Sequence, residues 1–188
     1  EYFVMLEYGA PDGLVGTIPS LFESSVKKVE MYNGASWVTI FSGATQLDTV
    51  SGGTFPGISD LSLPAGTYSQ IRVTFNNSFP VTGSQSYGGT TYYTTATTFD
   101  GRTNLACTPT TVAGSMAEFT FYNPEWGTID ADIMQIFSIT PITVGAATDC
   151  QLTLRFCIKD KLVLCGTDGA PTTYYFSLSA PTVSIVEP

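Results

Sequence analysis

The chain has 188 residues, seven basic and sixteen acidic, for a formal net charge of −9, and it contains no histidine. With only 12% of residues charged and Lys27-Lys28 the largest basic run, it lacks the Lys/Arg density that neutralises nucleic-acid phosphates or docks on an anionic membrane, and no apolar run approaches the ~20 residues of a membrane span. Without histidine no Ser-His-Asp or Cys-His arrangement is possible, so the reading is of a non-enzyme with no cofactor.

Eleven Pro, eighteen Gly and abundant Thr and Ser break short apolar runs, an all-β composition. The length suits one domain with a real core. The chain begins at Glu1 with no signal sequence, which reads as a processed, secreted protein; four cysteines agree with an oxidising, extracellular or cell-surface setting.

Residues 1–8, EYFVMLEY, are apolar on both faces. Val4, Leu6 and Tyr8 share one side, and Tyr2, Phe3 and Met5 supply most of the other. A strand of this kind is buried on both sides. Because Gly9-Ala10-Pro11-Asp12-Gly13 follows it, the strand has slack to pair within its own subunit or to reach a neighbour. Pro19 to Val26 is the one helical candidate, with Ser20 as its cap. Val26 to Phe41 predicts a hairpin across Asn33-Gly34, with Trp37, Val38, Ile40 and Phe41 on the return strand. Gln46 to Val50 predicts a short edge strand.

The next stretch, Leu61 to Phe75 (LSLPAGTYSQIRVTF), is the predicted core strand. Ile71, Val73 and Phe75 alternate with Gln70, Arg72 and Thr74, and Pro64-Ala65-Gly66 supplies turn chemistry ahead of them. Arg72 is expected to pair with an acid on the outer face. Taken with VEMYNGASWVTIF and TQLDTV upstream, this segment resembles a family of secreted prokaryotic domains of unknown function, many of them lipoproteins, that carry an LPAGxYxQIR-type motif. The resemblance spans roughly Val26 to Phe75. It implies an immunoglobulin- or transthyretin-like antiparallel sandwich and carries no catalytic residues; Glu1 stands where the lipoprotein members have a lipidatable Cys.

Phe79 to Thr98 reads as a long hairpin whose Tyr87, Tyr92 and Tyr93, with Trp126 further on, form a candidate aromatic platform for sugar rings. Asn76-Asn77-Ser78 is an N-glycosylation sequon on Asn76. Ala117 to Tyr122, Ile133 to Val144 (with Pro141 marking a bulge or edge), Cys150 to Ile158, Leu162 to Cys165, Thr173 to Ser179 and Thr182 to Val186 complete a sandwich of about ten to twelve strands. Asp130 and Asp132 with Asp149 or Asp168 offer oxygens to Ca²⁺, and Glu118, Glu125, Asp130 and Asp132 are the carboxylates available for glycoside hydrolysis; both sets read more simply as solvated edges.

Four cysteines allow three connectivities. Cys150 and Cys157 on one strand are about 23 Å apart, too far to bond. Cys157 with Cys165 closes a hairpin over Lys159 to Lys161, for roughly 2.5 kcal/mol, and leaves Cys107 with Cys150 for roughly 4 kcal/mol. Cys107 with Cys157 and Cys150 with Cys165 rank second.

Two functional classes follow. In the first, the chain is a structural, pilus-like subunit whose partners are copies of itself, the Tyr2 to Tyr8 strand of one completing the sheet of the next into a homopolymer. In the second, it is a surface module whose tyrosines bind carbohydrate.

Overall fold

A computed structural model describes residues 14–48, 63–99, 106–120, 131–145, 153–166, 174–179 and 182–186. They form thirteen strands with no α-helix among the described residues: β1 (Leu21–Tyr32), β2 (Trp37–Asp48), β3 (Gly66–Asn76), β4 (Phe79–Thr82), β5 (Ser84–Tyr87), β6 (Thr90–Tyr93), β7 (Ala106–Cys107), β8 (Ala117–Phe119), β9 (Asp132–Val144), β10 (Thr153–Cys157), β11 (Leu162–Gly166), β12 (Tyr174–Leu178) and β13 (Thr182–Val186). Every ladder is antiparallel, and the sheets stack as a sandwich. The all-β, antiparallel expectation holds.

The main layer runs β8-β4-β1-β3-β9, with β2 along the other side of β1. β1 alternates on period 2 but changes phase at a bulge by Lys27. Phe22, Ser24 and Val26 point inward before it, Val29 and Met31 after it. The bulge lets one strand serve two cores. A sheet β11-β12-β7 covers one end of this layer, closing a core of Phe22, Phe79, Val81, Phe119, Leu162, Leu164 and Phe176. The pair β10-β13 covers the other end, setting Phe156, Val183 and Ile185 against Val26, Val29, Met31, Ile71, Val73 and Phe75.

The strand β3 places Ile71, Val73 and Phe75 inward as the alternation requires. Tyr68 is buried too, although it is out of phase with them. The register shifts there, with Ile139, Thr140 and Pro141 of β9 set against Ser69 alone, and the Tyr68 hydroxyl donates to the Pro64 carbonyl at 2.9 Å. Facing that shift, Pro141 lies in β9, where the ladder is interrupted and its missing N–H costs nothing.

Several local expectations are corrected. Pro19 to Val26 is not helical: from Leu21 it is strand, and Ser20, cast as a helix cap, instead donates its N–H and its hydroxyl to the Thr82 carbonyl at 2.8 and 3.0 Å. The turn at Asn33-Gly34 spans Asn33 to Ser36 rather than two residues. Its Asn33 side-chain oxygen accepts from the N–H groups of Ala35 and Ser36 at 3.0 and 2.8 Å, and Gly34 takes φ +90°. The two-residue turn lies elsewhere, at Gly88-Gly89 between β5 and β6, with φ of +58° and +80°. Gln46 to Asp48 belongs to β2 and is no separate strand.

The largest correction concerns the cysteines. The Lys159 to Lys161 turn does not join a hairpin, because β10 pairs with β13 while β11 pairs with β12. Cys157 lies opposite Thr182 and is exposed; Cys165 lies opposite Tyr175 and is buried. Cys107 is also buried, and all three are free thiols. Neither ranked connectivity survives. Cys150 falls outside the described residues, as do Tyr2, Phe3, Val4, Met5, Leu6, Tyr8 and Trp126. The three described thiols therefore lend no support to an oxidising compartment.

Candidate assembly edge and aromatic cluster

Strand β10 turns Phe156 inward and leaves Thr153, Arg155 and Cys157 exposed. Phe156 meets Phe75 of β3 edge-to-face, with ring centroids 5.5 Å apart, so β10 lies above β3. Its partner β13 lies against β9. The other edge of β10 therefore points over β1 and β2 and has no ladder partner among the described residues. Beneath it, Val38, Ile40 and Phe41 of β2 pack on the core while staying half-buried. Among the described residues, two strands here face the four strands β2-β1-β3-β9, and the β2 side chains beyond them are apolar. An unpaired edge beside incompletely covered apolar surface is a site for an added strand.

The residues just after the N-terminal segment are firmly placed. Thr17 exchanges backbone hydrogen bonds with Leu162 at 2.8 and 3.2 Å. Gln85, only 4% exposed, donates its amide to the Val15 carbonyl and accepts from the Leu164 N–H at 2.7 Å. Gly16 fits because a Cβ there would meet the Asp160 carbonyl at 2.3 Å. Thr17 thus makes a single bridge to β11, with Val15 tethered beside it through Gln85.

At the far end of that core, Tyr87 and Tyr92 from the β5-β6 hairpin converge on Tyr174 of β12, with ring centroids 5.9 and 5.1 Å apart. All three rings are half-buried against the apolar cluster. Loss of hydration at the Tyr174 phenol, with Tyr92 and Tyr87 beside it, pushes its pKa above the usual tyrosine value. Two of the three expected platform tyrosines are brought together. Tyr93 lies on the opposite face of β6, its backbone paired with Thr110. Tyr174 escaped sequence reading because YYFSL shows only a strand and not what its first residue meets.

The outer face of the main layer holds a charged cluster. Arg72 pairs with Glu30 at 2.7 Å, and Lys28 reaches the same carboxylate at 2.7 Å. The Arg72 guanidinium also sits 4.3 Å above the Trp37 ring. Arg72 thus finds the acid expected of it, and its hydrogen bond, outweighing the opposing effect of burial, holds the Glu30 pKa below its usual value. Asp132 pairs with Lys27 at 2.5 Å, and Glu118 accepts from the Ser78 hydroxyl at 2.6 Å. Glu125, Asp130, Asp149 and Asp168 lie outside the described residues, among which no group of three or more metal-ligating side chains is found. Asn76 ends β3, opposite Asp132, with its side chain half-buried.

Burial pushes the Cys107 thiol up to about 11, and burial also raises that of Cys165. Since the thiolate is the reactive form, a thiol reagent applied to the native protein should modify Cys157 first of these three. Cys107 and Cys165 should react only after unfolding, as peptide mapping would show. Rapid native labelling of Cys107 would contradict this packing.

No protein-family model, no curated protein and no solved structure matches the chain.

Proposed function

We propose that the protein is the structural subunit of an extracellular filament or surface assembly, in which the Tyr2 to Tyr8 segment of one copy adds to the β10 edge of the next. One observation carries this reading: β10 has an edge without a ladder partner among the described residues, on the side of the half-buried Val38, Ile40 and Phe41 of β2. An added strand there gains backbone hydrogen bonds and buries apolar side chains on its inner face. Head-to-tail contacts of this kind grow into a filament unless they close.

Deleting residues 1–8 tests it. The expected product is a folded monomer that no longer assembles by sedimentation or electron microscopy, and that takes up a synthetic 1–10 peptide with a rise in Tm. Global unfolding with assembly unchanged in the surviving fraction would count against exchange.

A second reading is favoured by the tyrosine cluster. The hydroxyls of Tyr87, Tyr92 and Tyr174 make no hydrogen bond to other described residues, leaving three polar tips beside apolar rings, a surface suited to a neutral sugar. Tyr174→Ala should then abolish retention on a glycan array; an array with no hit for the intact protein removes this reading.

A further inference from the structure

The described residues include six of the seven cations, and they fall into two groups. Lys27, Lys28 and Arg72 on the main layer are ion-paired to Asp132 or Glu30. Arg155, Lys159 and Lys161 form no ion pair with a described residue. They lie together, Arg155 exposed on β10, Lys159 and Lys161 in the turn that follows, with Asp160 between them. In a chain of net charge −9, half of the described basic groups thus form no ion pair with a described residue and lie on or just after one strand, β10. The N-terminal segment is the reverse: Glu1, Glu7 and Asp12 within thirteen residues, and no Lys or Arg.

Resting on the strand-exchange reading above, we propose that the β10 edge receives the N-terminal segment of a second copy antiparallel and in one register, with Glu7 across from Arg155 and Glu1 carried toward the Lys159 to Lys161 turn. Every ladder among the described residues is antiparallel. In an antiparallel pair each step along one strand is a step back along the other. Setting Glu7 opposite Arg155 therefore sets Met5 opposite Cys157 and Phe3 opposite Lys159. The same choice puts Leu6 opposite Phe156, so the apolar face of the added strand joins the face that Phe156 already turns to the core. A slip of one residue would turn that face outward, and a slip of two would separate Glu7 from Arg155.

The anchored residues favour a neighbour's strand over the chain's own. Thr17 pairs with Leu162 and Val15 is tied through Gln85 to Leu164. Read backwards from Thr17, the chain runs along β11 away from the turn that joins it to β10. Residues 17 to 14 thus lead away from the turn beside the chain's own β10 edge.

Charge reversal and thiol capture on the full chain test the register. Glu7→Arg and Arg155→Glu should each raise the protein concentration needed for assembly about two- to fivefold. The double reversal should restore it, and the difference should fade at about 1 M salt, where the screening length is ~3 Å. Met5→Cys should give a ladder of disulfide-linked oligomers on a non-reducing gel, lost when Cys157→Ser is added. If deleting residues 1–8 stops assembly while the reversals show no coupling and no ladder forms, this register is wrong and strand exchange stands. If the full chain never assembles, the exchange reading fails and takes the register with it. A bond between the introduced thiol and Cys157 within a single chain overturns both, because it places the strand on its own sheet.

Discussion

Phe176→Ala is expected to lower stability by about 3–5 kcal/mol, read as a fall in urea midpoint with an unchanged m-value. Phe176 is fully buried at the centre of the second layer, opposite Leu164 of β11 on one side and Cys107 of β7 on the other. Its ring belongs to the cluster of Phe22, Phe79 and Phe119 that joins this layer to the main sheet. Truncation there removes transfer energy and leaves a cavity that strands held on both sides cannot collapse into. Met134→Ala is the control: Met134 is 57% exposed on β9, and its loss should stay within about 0.5 kcal/mol. Phe156→Ala should fall between the two in the monomer, since Phe156 is half-buried. If the β10 edge takes an added strand, its cost should grow in the assembled form.

Local pattern in the sequence located most strands and missed most of their partners. Alternation at Ile71, Val73 and Phe75 marks a half-buried strand because side chains repeat every two residues. It could not place Tyr68, whose inward position depends on a bulge formed against β9. The Lys159 to Lys161 turn reverses the chain, as a hairpin turn would. Reversal says nothing about which edge the next strand meets, however, and β11 joins β12 in another sheet. The disulfide expectation failed for that reason. Ser20-Leu21-Phe22-Glu23 carries a helix-start signature, overridden when Phe22 is buried between β4 and the β11-β12 layer. Non-local pairing decides such cases, and one sequence shows none of it.

The candidate sites divide along the same line. The tyrosines of the β5-β6 hairpin stood out by composition, yet the cluster needs Tyr174, which comes from a strand more than eighty residues later. The β10 edge without a described partner has no sequence signature. Among the described residues, β10-β13 has two strands over the four of β2-β1-β3-β9.

Arg72→Ala should cost roughly 2–3 kcal/mol, more than an ordinary surface ion pair, whose typical value is about 0–1 kcal/mol. The difference lies in Glu30, which is 4% exposed under a layer of outer-face side chains. Removing Arg72 takes away its 2.7 Å partner and uncovers Trp37, leaving Lys28 alone to balance a carboxylate that water reaches poorly. Acidification provides an independent check. Glu30 has a lowered pKa in the folded state, so its contribution is present above its unfolded value of about 4.5 and is lost as pH falls through the lower folded value. Arg72→Ala should flatten that acid-side loss, because the folded pKa rises toward the unfolded one. Glu30→Gln combined with Arg72→Ala should cost less than the sum of the single changes, since the neutral amide no longer strands a buried charge. Strict additivity of the two would mean that Arg72 stabilises the sheet through its stacking on Trp37 alone.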